Sequence, residues 1–97
     1  MSAPCPVFGF LVELHVAAAL TSSQMRELRT ALLTRVVEPR GLTYHDRSEG
    51  HDWSFVVQSE AGQATDADRL AVEAWANERR EIVAVNVGPL LDFASAA

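Results

Sequence analysis

Lysine is missing from this chain, and its eight cationic side chains are all arginine. Cysteine occurs once, at Cys5, so no internal disulfide can form and a disulfide-stapled secreted scaffold is excluded. One cysteine and three scattered histidines cannot build a closed structural zinc centre either. Glycine and proline are sparse, with five and four residues, and neither forms a phosphate-cradling loop or a low-complexity tract. No apolar run is long enough to span a bilayer: Val7–Leu20 comes nearest, but Glu13 and His15 interrupt it. That stretch also lacks the positive flank of a signal peptide. What remains is 97 residues of ordinary globular composition, 48% hydrophobic and 22% charged, enough for one core and one domain. These features predict a soluble cytoplasmic domain over residues 7–93 with flexible ends at 1–6 and 94–97.

The acids outnumber the arginines by thirteen to eight, giving a net charge of −5. An acidic total disfavours a dedicated, sequence-independent nucleic-acid binder, because phosphate neutralisation supplies most of that affinity, and neither DNA nor a membrane is expected as a partner. The charge is unevenly placed. Residues 21–47 hold Arg26, Arg29, Arg35, Arg40 and Arg47 against Glu27, Glu38 and Asp46, a local balance of +2. Residues 48–97 hold three arginines against nine acids, a balance of −6.

Hydrophobic spacing predicts six elements. Phe8, Phe10, Val12, Leu14 and Val16 alternate with Gly9, Leu11, Glu13 and His15, as in a strand with one buried face. Thr21 and Gln24 have capping-box spacing, after which Met25, Leu28, Leu32 and Val36 recur as a helix stripe. Pro39 and Gly41 stop that helix near Val37. Leu42 and Tyr44 open a second strand, a polar loop follows, and Trp53, Phe55 and Val57 alternate in a third. Thr65 and Asp68 cap a second helix whose expected buried stripe is Leu70, Ala71, Ala74 and Trp75. The last strand is Ile82–Val87, with Val83, Val85 and Val87 expected to face the helices.

Strand, helix, strand, strand, helix, strand is the rhythm of an α+β, ferredoxin-like βαββαβ sandwich. It predicts a four-stranded antiparallel sheet with two helices on one face. The other face then carries Leu11, Glu13, His15, Thr43, His45, Ser54, Val56, Gln58, Ala84 and Asn86. No ring projects from that face, which disfavours base stacking on the sheet. Its apolar centre makes Leu11, Glu13, His15 and Val56 a candidate protein interface, in the simplest case a homodimer.

No constellation points to catalysis. His45-Asp46 and His51-Asp52 bracket the hairpin loop, but two such pairs do not supply three converging metal ligands. Cys5 lies between two prolines with no basic neighbour to activate it. Glu13 and His15 share a strand face, and nothing else converges on them to hold a substrate. The reading is a non-enzymatic protein without a metal or cofactor.

Several segments together carry a family resemblance. Gly9-Phe10, Val37-Glu38-Pro39 followed by Leu42, Thr65-Asp66-Ala67-Asp68-Arg69 with Trp75 and Arg79, and Val87-Gly88-Pro89-Leu90-Leu91-Asp92 occur in order over about 85 residues. In this they resemble the YggL family of small bacterial proteins. The chain departs from that family in opening on Met1-Ser2-Ala3-Pro4-Cys5-Pro6 rather than a basic extension. Its hairpin is charged rather than glycine-rich, and Phe93-Ala94 stands where a tryptophan is common. The resemblance implies a cytoplasmic accessory protein that binds the large ribosomal subunit or another ribonucleoprotein. Arg26, Arg29, Arg40 and Arg47 are then the candidate phosphate contacts. The alternative is a self-associating module that uses the open sheet face and binds no RNA.

Overall fold

The computed structural model describes residues 8–47, 53–59 and 63–92. Both expected helices and all four expected strands are present, with one short strand in addition. Strand β1 (Phe8–Val16) leads into helix α1 (Ser22–Leu32), which continues as a π-helical turn over Leu33–Val37. Strands β2 (Leu42–Asp46) and β3 (Trp53–Ser59) follow, then helix α2 (Asp66–Asn77), β4 (Ile82–Val87) and the two-residue β5 (Leu91–Asp92). The architecture is α+β. All strand pairings within the sheet are antiparallel, in the order β2-β3-β1-β4, and β5 pairs with the start of β1.

The two helix starts form as their sequences predict. The Thr21 N–H donates to Gln24 Oε1 at 2.8 Å while the Gln24 N–H donates back to Thr21 Oγ1 at 3.1 Å. Thr65 and Asp68 make the same reciprocal pair at 2.9 and 3.3 Å. Each box satisfies two N–H groups that a helix start otherwise leaves without partners.

The end of α1 is less regular than its spacing suggests. The Glu38 N–H donates to the Leu33 carbonyl five residues back, at 2.8 Å, which defines the wider π turn. Thr34 Oγ1 donates to the Thr30 carbonyl at 2.9 Å, a back-bond that tends to bend a helix. The result buries both Val36 and Val37, adjacent residues that a regular helix would set about 100° apart. Gly41 then takes the left-handed conformation (φ +65°) that turns the chain into β2.

A single core joins the sheet to both helices. Phe10, Val12 and Leu14 of β1 and Trp53, Phe55 and Val57 of β3 meet Leu28 and Leu32 of α1, Val36 and Val37 of the π turn, and Val72, Trp75 and Ala76 of α2. Two expected faces need correction. In α2 the buried stripe is Asp68, Val72, Trp75 and Ala76, and Leu70 is 61% exposed. Asp68, part of the cap, stands one turn ahead of Val72 on the same buried side. In β4, Val16 pairs with Ile82 and His15 with Ala84, so the strand bulges at Val83. The bulge puts Ile82 in the core and leaves Val83 68% exposed, whereas Val85 and Val87 pack against the core as expected.

The connector after β4 crosses close to β1. The Gly88 N–H donates to the Leu11 carbonyl at 2.8 Å, and a Cβ at Gly88 would lie 3.1 Å from that oxygen. Arg69 Nε donates to the Gly88 carbonyl at 2.8 Å and so ties the connector to α2. Gly88→Ala is therefore expected to cost about 1–2 kcal/mol by crowding a central strand. A urea midpoint unchanged within error would contradict that contact.

Candidate nucleic-acid interface

Helix α1 turns Leu28 and Leu32 into the core, and with the π turn that continues it leaves Arg26, Thr30 and Thr34 at intervals of four on the outside. Glu27, Ala31 and Arg35 form the neighbouring row at the same interval. Rows four residues apart are ridges on a helix surface, with a groove between them. Here that groove is a shallow depression, open to solvent, of about 370 Å³ and is lined by these six residues. Its floor is short side chains, Thr30, Ala31 and Thr34. Its ends carry Arg26 beside Glu27, and Arg35. Arg26 and Arg35 are exposed, and neither makes an ion pair among the described residues. A second, smaller depression of about 200 Å³ lies between the start of α1 and Arg79 and Glu81.

The other arginines are engaged differently. Arg29 approaches the sheet: its Nη2 lies 3.9 Å from Asp46 Oδ2, and its Nε is buried without a hydrogen-bond partner among the described residues. Behind Asp46 runs a polar row, in which Trp53 Nε1 donates to Tyr44 Oη at 2.8 Å and Tyr44 Oη donates to Asp46 at 3.1 Å. Partial burial raises the Tyr44 pKa above its ordinary value; the Trp53 N–H opposes that shift and the Asp46 carboxylate adds to it. Arg47 follows directly on Asp46, and its N–H closes the hairpin on the Ser54 carbonyl at 2.8 Å.

Arg40 points elsewhere. Its Nε donates to Asp68 Oδ1 at 2.8 Å, inside the capping box of α2. Burial alone would push the Asp68 carboxyl up, but Arg40 and the Thr65 amide and hydroxyl outweigh it and hold the carboxyl below its usual range. Arg69 bonds Asp66 at 2.9 Å, and Arg79 lies 5.0 Å over the Trp75 ring.

Of the four arginines expected to contact phosphate, the fold thus sets Arg26 on the outer face of α1. It brings Arg29 to the residue preceding Arg47 and draws Arg40 to the other helix. Arg35, with Thr30 and Thr34, was not among those candidates. The four-residue spacing of the two rows was the signal that places it in the groove.

On the opposite sheet face, Leu11 is 36% exposed, and Glu13 and His15 are exposed. Val56 is on that face by register, opposite Leu11 and His45, but only 4% exposed. At that exposure Val56 is not an accessible contact. Among the described residues no three His, Cys, Asp or Glu side chains gather to hold a metal ion. Cys5, His51 and Asp52 lie outside the described residues.

A family model described as YggL 50S ribosome-binding protein matches residues 6–94, nearly the whole chain. The chain belongs to the YggL family. No curated protein and no solved structure matches it. Within this YggL chain the segments that carried the resemblance have structural duties: Gly88 passes β1 closely, Asp68 caps α2 and pairs with Arg40, and Trp75 fills the core. No helix among the described residues is long and apolar enough to cross a membrane.

Proposed function

We propose that this YggL chain is a cytoplasmic, non-enzymatic accessory protein that docks on the large ribosomal subunit. The observation that carries the proposal is the family match over residues 6–94, whose description names a 50S ribosome binder. The concentration of arginine in residues 21–47 of an otherwise acidic chain supports it, since that segment offers rRNA a local positive surface. Arg26 and Arg29 on α1 and Arg47 beyond β2 are the phosphate contacts proposed from that segment, with Arg40 held mainly as a structural partner of Asp68.

The test is sedimentation with purified large subunits at low salt. The protein is expected to co-migrate with them. Affinity should then fall about 20–40-fold when salt is raised fourfold, as expected for about three phosphate contacts. Protein confined to the top fractions at low salt would falsify the proposal.

A second reading is self-association through the open sheet face. In its favour, Leu91 is 49% exposed and pairs opposite Gly9, on the same side as Leu11. Light scattering that shows a monomer at high concentration removes this reading.

A further inference from the structure

Resting on that ribosome-docking proposal, we infer that the groove on the outer face of α1 and its π turn, between Arg26 and Arg35, is the surface that seats one strand of ribosomal RNA. Arg26 and Arg35 line opposite ends of the same depression, Arg26 on α1 and Arg35 on the π turn that continues it. Both guanidinium groups are free of ion pairs among the described residues, unlike those of Arg29, Arg40 and Arg69. They can thus meet phosphate without first breaking an internal contact. A guanidinium presents a planar pair of donors that matches phosphate oxygens.

The floor between them suits a sugar–phosphate backbone. Thr30, Ala31 and Thr34 are short, so a strand comes close to the helix. The Thr34 hydroxyl proton is committed inward, to the Thr30 carbonyl at 2.9 Å, with the Ala31 carbonyl 3.4 Å away. Its oxygen therefore faces the groove as an acceptor, and a ribose 2′-hydroxyl is a donor that DNA lacks. Glu27 is the one acid in the lining and stands beside Arg26. Its carboxylate repels a phosphate there, which gives the groove a preferred end and makes Glu27 a brake on affinity. A chain of net charge −5 has no general attraction for RNA, so the attraction must be local.

The experiment is co-sedimentation with purified large subunits, using the full chain and variants. Arg26→Glu combined with Arg35→Glu should weaken binding at least tenfold. Arg80→Glu, the same kind of reversal on the acidic half, should leave binding unchanged. Glu27→Gln should tighten it about threefold, a gain that damage to the fold cannot produce. A photo-crosslinking residue replacing Thr30, at the centre of the groove, should capture rRNA.

Wild-type protein that fails to sediment with subunits overturns the docking proposal and this inference with it. If the wild type sediments and the double reversal sediments equally, only the groove is overturned. A cross-link from position 30 to ribosomal protein alone also overturns the RNA assignment while docking stands.

Discussion

Phe55→Ala should destabilise the protein by about 3–5 kcal/mol, the usual cost of emptying a buried aromatic site. Phe55 is fully buried in β3, the strand between β1 and β2, with its ring centroid 4.9 Å from Tyr44 and 5.2 Å from Trp53. Its removal deletes apolar burial and two ring contacts, and the paired strands on both sides restrict collapse into the gap. Domains of this kind have about 5–15 kcal/mol in total, so the variant should lie near the edge of folding. Phe55→Leu, which keeps most of the volume, should lose much less. Denaturant midpoints at constant slope measure both changes. A loss below about 1 kcal/mol for the alanine variant would mean that this ring is not at the centre of the core.

Asp68→Ala should cost about 2–3 kcal/mol, because one carboxylate serves two structures. It accepts from the Thr65 amide and hydroxyl at 2.9 and 3.1 Å to cap α2, and from Arg40 at 2.8 Å to tie the turn after the π helix to that cap. Asp68 is 11% exposed at its side chain and Arg40 37%, so solvent screens part of the pair and the value lies below that of a fully buried one. At about 4–8 °C per kcal/mol for a domain of this size, the melting temperature should drop by about 10–20 °C. The pH dependence has a definite sign. The carboxyl titrates below its unfolded value, so its stabilisation is complete above about pH 4 and is lost as pH falls through the lower folded value. Asp68→Ala should flatten that acid limb of the stability curve. A variant as acid-sensitive as the wild type would assign the limb to other groups.

Much of the fold was legible in the sequence because its signals are local. Capping boxes act over three residues, Pro39 and Gly41 act on their own turn, and alternation in β1 and β3 reports a buried face directly. The failures arose where tertiary pairing overrode local pattern. Val83 continues the alternation of Val85 and Val87, but the bulge against His15 and Val16 turns it outward. Leu70 is expected in the core of α2, but the helix turns Val72, Trp75 and Ala76 inward instead, with Asp68 on the same side meeting Arg40 from 28 residues away in sequence. The candidate interface was half legible. The arginine bias and Arg26 could be read from the chain, whereas the engagement of Arg40 and the burial of Val56 depend on neighbours that only the folded sheet and helices supply.

The row from Trp53 through Tyr44 and Asp46 to Arg29 gives the molecule an intrinsic optical reporter. Its indole end is sealed in the interior, and its guanidinium end stands at the margin of the helix proposed to meet RNA. Drawing Arg29 away from Asp46 alters the charge felt by the phenol and, through it, the fluorophore. In a Trp75→Phe background, which leaves Trp53 as the one tryptophan, changes in emission are expected to follow engagement of that margin without any added label.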